Sequence, residues 1–129
     1  MLAHNRQEPG WGRVQALLEE SESEVLAASV SLTEFARRLR EFGAKAEEAR
    51  RTVEDYRELL DEIVSVDARM ALTAFDIGCE VAERLPLVDA LIAAAARERG
   101  ACLVHRDQHM THIPESVVEQ IDLAMESEG

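Results

Sequence analysis

At 129 residues the chain suits one domain, 1–129, around a single hydrophobic core, and 47% apolar beside 31% charged residues excludes a disordered chain. Fourteen Lys and Arg against 26 Asp and Glu leave a formal charge of −12, which opposes a broad nucleic-acid surface and suits a local divalent-metal site or a basic partner peptide. No apolar run reaches the roughly 18 residues of a membrane span and the first residues lack the regions of a signal peptide, so no membrane partner is expected and the cytoplasm is the expected compartment.

Trp11, Val14, Leu17 and Leu18 stand at helical spacing after the Pro9-Gly10 turn signal, which predicts a helix from Trp11 to Glu20. Val25 to Val30, apolar and small, follows the polar stretch Ser21 to Glu24 and reads as a buried strand. Leu32, Phe35, Ala36, Leu39 and Phe42 then repeat every three or four residues, and Gly43 supplies a stop. Residues 44 to 62 are the most charged, yet Ala49, Val53, Tyr56, Leu59 and Leu60 mark the apolar stripe of a long amphipathic helix. The charges read as its wet face, and the stripe either packs inward or meets a partner helix.

Ile63 to Val66 is the next expected strand, and Ala68 to about Glu83 the next helix. Pro86 fits the first turn of a further helix that runs to Arg99 and stops at Gly100. Ala101 to His105 is a strand, with Val118 to Leu123 a last short one. Cys79 and Cys102 sit among aliphatic residues and read as buried thiols. Short strands alternating with helices predict an α/β domain whose mainly parallel sheet is covered on both faces, and such sheets bind ligands beyond the carboxyl ends of their strands.

Three acids fall at or near such ends. Glu34 follows the strand 25 to 30, Asp107 follows the strand 101 to 105, and Asp89 lies in a helix that is apolar nearly all round. An ionised carboxylate inside such a helix costs several kcal/mol unless it is paired or binds a metal. Each acid also has a structural reading. Ser31-Leu32-Thr33-Glu34 has the spacing of a capping box, Asp89 in a first turn meets the helix dipole, and Asp107 can close a turn. His105 and His109 are four residues apart, but no cysteine or second histidine pair completes a tetrahedral set, so zinc is set aside. His105, Arg106 and His109 could instead contact phosphate or carry a proton, against the reading as surface polar residues.

The stretch Arg84-Leu85-Pro86-Leu87-Val88-Asp89-Ala90-Leu91-Ile92-Ala93-Ala94-Ala95, followed by Gly100-Ala101-Cys102-Leu103-Val104-His105-Arg106-Asp107-Gln108-His109, resembles the C-terminal half of PIN-domain proteins, in particular the VapC-type toxins of bacterial toxin-antitoxin pairs. Val30-Ser31-Leu32-Thr33-Glu34-Phe35 is similar to the family's strand-to-helix element that supplies a glutamate. The resemblance implies a PIN-like three-layer sandwich and a ribonuclease in which acids hold one or two Mg²⁺ or Mn²⁺ ions for phosphodiester cleavage. By position it makes Asp89 a direct metal ligand, with Glu34 and Asp107 as further ligands or water-positioning groups. It also implies RNA as substrate, a small cognate antitoxin that lays an arginine-bearing segment across the acidic pocket, and a homodimer to which the stripe from Val53 to Leu60 could contribute.

One family feature is missing. PIN domains open with a central strand ending in an aspartate, whereas Met1-Leu2-Ala3-His4-Asn5-Arg6-Gln7-Glu8-Pro9-Gly10 looks like the helix after that strand, and Glu8 in its turn cannot replace the acid. The expectation is a start that lies inside a longer reading frame by roughly ten residues, one short strand and a turn. The alternative is a catalytically inactive PIN-like protein that binds an antitoxin or another protein partner.

Overall fold

A computed structural model describes residues 1–125. The periodic apolar segments form helices within about three residues of the expected ends, and the chain runs α1 (Leu2–Asn5), α2 (Trp11–Glu19), β1 (Leu26–Ala28), α3 (Ser29–Glu41), α4 (Ala46–Leu59), β2 (Glu62–Val64), α5 (Ala68–Glu80), α6 (Leu87–Glu98), β3 (Leu103–His105) and β4 (Gln120–Asp122). Short 3-10 turns cover Met110–His112 and Leu123–Met125. None of these helices is long and apolar enough to cross a membrane.

The stops at Gly43 and Gly100 work as glycine stops do. At α6 the Gly100 amide donates to the Arg97 carbonyl at 3.1 Å and the Ala101 amide to that of Ala96 at 2.8 Å, with Gly100 at φ +60°. Those bonds satisfy the last carbonyls of the helix and require a left-handed residue, which glycine adopts without steric cost. Gly43 closes α3 in the same way, its amide on Arg40 and that of Ala44 on Leu39.

Parallel pairing joins β1 to β2, with Ala27 opposite Ile63, and β3 to β4, with Val104 opposite Ile121. The α/β architecture of parallel strands and helices is therefore present, but in place of one sheet the described residues form two pairs that no fifth strand connects. The Asp61 carboxylate accepts the Val25 amide at 2.6 Å and fixes the entrance to the first pair.

Two cores hold these elements. The larger joins the strands to α5 and α6 through Ala28, Val64, Ile77, Ala93, Ala94 and Leu103. The run of alanines lets α5 lie close along α6, and Ala93, Ala94 and Ile77 are fully buried there. Removing a buried aliphatic side chain such as Ile77 leaves a cavity worth about 2–5 kcal/mol. The smaller core packs α3 against α4 through Phe35, Leu39, Ala49, Val53 and Tyr56, with the Phe35 and Tyr56 rings edge to face at 5.2 Å. Tyr56 also bonds the His4 imidazole at 2.6 Å, which ties α1 to α4.

Two expectations are corrected. Cys79 and Cys102 are exposed, because Cys79 lies on the face of α5 opposite Met70, Ala74 and Ile77 and Cys102 precedes the buried part of its strand. Ser31 to Glu34 is not a capping box: α3 begins at Ser29, two residues earlier, and Glu34 lies a full turn inside it. Within the stripe from Val53 to Leu60, Val53 and Tyr56 pack into the smaller core while Leu59 stays 54% exposed.

Gly10 adopts φ +97°, and a Cβ added there would meet the Leu123 Cβ at 2.7 Å. The turn before α2 thus rests directly on the backbone that follows β4.

Candidate metal centre

The α6 sequence places Asp89 in its first turn, three residues past Pro86, where it is buried. Its residue surface is 5% exposed, and no backbone amide bonds its carboxylate among the described residues. Asp107 lies two residues beyond the end of β3, and a chain of hydrogen bonds fixes it there. Its amide donates to His105 Nδ1 at 3.2 Å, so His105 Nε2 carries the hydrogen and donates to Gln120 Oε1 at 2.7 Å. Gln120 Nε2 in turn donates to the Ile113 carbonyl at 2.7 Å. His105 is thus a satisfied buried histidine that positions the Asp107 turn.

The Asp107 carboxylate accepts the His109 amide at 2.8 Å, a turn that carries the His109 ring back over the two acids. His109 Nδ1 stands 3.1 Å from Asp107 Oδ1 and 3.6 Å from Asp89 Oδ2. One ligand atom from each of Asp89, Asp107 and His109 lies within 4.8 Å of the others. Glu34 on α3 is exposed and outside this tight group, yet close enough for its charge to act on Asp89.

Burial first, then the negative charges of Asp107 and Glu34, push the Asp89 carboxyl up from 3.8 to about 6, while His109 partly offsets them. A cation set among these carboxylates would offset the repulsion that Asp89 meets. The donor set fits a hard divalent ion, since carboxylate oxygens suit Mg²⁺ and Mn²⁺.

All three predicted acids therefore come to one end of the fold, two in the tight group and Glu34 beside them. Arg106 is turned away to Glu8, 3.5 Å from its Oε1. His109, expected from the sequence only as a phosphate contact or proton carrier and not as a ligand beside the acids, is the third member. The signal was Asp107-Gln108-His109, an aspartate whose turn bonds the amide two residues on and aims the following ring inward.

A second surface lies on the same helix α3. Leu32, Ala36, Ala49 and Val53 floor a groove of about 520 Å³ between α3 and α4, and arginines that include Arg37 and Arg50 rim it. This is local positive charge on a chain of formal charge −12.

A family model described as PIN domain matches residues 1–116. No curated protein matches the chain. Similar solved structures include VapBC2 from Rickettsia felis bound to a DNA fragment from their promoter, at 18% identity and a TM-score of 0.71 over 93% of this chain and 89% of that one. VapBC-1 from nontypeable Haemophilus influenzae shares 17% identity with a TM-score of 0.68 over 95% and 90%. DNA-bound VapBC from Salmonella typhimurium shares 21% with a TM-score of 0.68 over 94% and 89%. At these identities the structural likeness speaks for the fold.

Proposed function

The chain belongs to the PIN-domain family, and from that premise we propose that it is a Mg²⁺- or Mn²⁺-dependent endoribonuclease, the toxin of a toxin-antitoxin pair acting in the cytoplasm. The observation that carries this reading is the buried Asp89, whose carboxylate has no amide partner and converges with Asp107 and His109 within 4.8 Å. Asp89 and Asp107 hold the ion, and Glu34 at the open side binds it or orients a water. His109 adds a nitrogen donor, which manganese accepts more readily than magnesium. When bound, the ion supplies Lewis-acid stabilisation of the phosphodiester and lowers the pKa of water. Asp89 keeps its place because α6 is packed on both sides, and His105 holds Asp107 through its amide. A phosphate approaching these acids meets repulsion until their charge is offset, which makes the cation a condition for binding RNA as well as for cutting it.

The partner in this reading is a small antitoxin. Its basic segment covers the acids, and an amphipathic helix suits the apolar groove of α3 and α4. A second copy of the chain completes a homodimer. One observation favours the non-catalytic reading, in which the scaffold binds a protein partner only: the tight group among the described residues holds two carboxylates rather than a full acidic set.

Cleavage of total RNA tests both. Wild-type protein with Mg²⁺ or Mn²⁺ is expected to cut, and EDTA or Asp107→Asn to abolish cutting. Activity that survives both would overturn the metal assignment, and RNA left whole by a folded, manganese-loaded protein favours the scaffold.

A further inference from the structure

Helix α5 has two unlike faces. Met70, Ala74 and Ile77 are buried against α6, while Ala68, Leu72, Phe75 and Cys79 on the opposite side are exposed. Leu72 is 67% and Phe75 68% exposed, a large apolar surface that no described residue covers. These four positions recur at steps of four, three and four, the seam along which two helices pack side by side.

The borders of that seam decide which partner fits. One border carries Arg69 and Asp76, of opposite charge and two turns apart; the other carries the small residues Ala71 and Gly78. Arg69 contacts Glu98 of α6 through Nε at 3.4 Å, yet its side chain remains 85% exposed. If two copies of α5 lie antiparallel about a two-fold axis, like borders meet. Arg69 of each copy then faces the partner's Asp76, so the ion pair forms twice, and each Phe75 lies beside the partner's Leu72. The two small borders adjoin and allow close approach. A parallel arrangement sets Arg69 against Ala71 and Gly78 and gains no ion pair. The surface is self-complementary in one orientation.

We propose that the exposed seam of α5 is a dimer interface, occupied by α5 of a second copy in antiparallel order. The inference rests on the homodimer reading for the existence of a dimer and adds the surface and orientation. Sedimentation velocity on the full chain tests it, with Arg69→Asp and Asp76→Arg purified separately and Phe75→Glu as a variant of the apolar seam. The wild type is expected to be a dimer. Each single charge variant sets like charges opposite one another twice and should self-associate at least about tenfold more weakly. Mixed in equal amounts, the two charge variants should form a dimer containing one of each, because every altered charge then meets its opposite. A role of Arg69 confined to Glu98 of its own chain gives no such rescue. Phe75→Glu should be monomeric, and circular dichroism should show unchanged helix in all three. A monomeric wild type overturns the homodimer reading and the surface together. A dimer indifferent to all three substitutions overturns the surface alone, and variants that weaken without rescue on mixing overturn the antiparallel order.

Discussion

An aspartate stands at the start of both α5 and α6, Asp67 as the N-cap of one and Asp89 in the first turn of the other, and the two residues meet opposite conditions. Asp67 caps α5: its Oδ1 accepts the Met70 amide at 2.9 Å and the residue is exposed. Asp89 sits three residues into α6, buried, with no amide to accept and with Asp107, Glu34 and His109 around it. Both helices offer the same dipole, so the dipole does not separate the two acids. Solvation and partners do. A carboxylate that costs stability where it stands, while its neighbour one helix away contributes to it, marks a position kept for something other than folding.

Substitutions can break this contrast. The largest effect is expected for Asp89→Asn, which keeps the shape and removes the charge: RNA cleavage should fall by more than about 100-fold, since even residues that only support a metal ligand are worth 10–100-fold. A folded Asp89→Asn protein that cuts RNA as fast as the wild type would erase the distinction. His105→Ala should weaken manganese binding by about 10–100-fold in calorimetric titration, because the Asp107 amide and Gln120 lose the ring that joins them.

Asp89 also sets a pH dependence in metal-free protein. Its carboxyl titrates at about 6 when folded against 3.8 ordinarily, so between these values the folded state holds a proton that the unfolded state has lost. Folding stability contributed by this group therefore falls as pH rises from about 4 to about 6 and is level above, with a slope of at most about 1.4 kcal/mol per pH unit. Denaturant titrations across that range should show the fall in the wild type and its absence in Asp89→Asn. The smallest effect belongs to Asp67→Ala, a loss of about 1 kcal/mol in the same titrations with cleavage unchanged.

Much of this was legible in the residues. The six apolar residues around Asp89, from Leu87 to Ala93, announced its burial, and the strand running into His105-Arg106-Asp107 announced a turn. Gly43 and Gly100 marked helix ends because only a left-handed residue closes those carbonyls. Glu34 was harder, since a motif of four residues fits a capping box whether or not the helix starts there, and α3 begins as soon as β1 ends. The strands are three residues each, too short for a period to show, so neither their edges nor their division into two pairs could be read. Cys79 was misread from composition alone; its phase relative to Met70, Ala74 and Ile77 places it outward with Leu72 and Phe75. His109 depended on a turn that spacing between histidines does not reveal.

The contact of Gly10 with Leu123 joins segments from opposite ends of the sequence. A side chain at either place cannot grow without lifting the other, so the two should open to solvent as one cooperative unit. Hydrogen exchange would then show the amides near Trp11 and those near Leu123 sharing a single opening free energy, and a Gly10→Ala chain would release both together while α5 and α6 keep their protection.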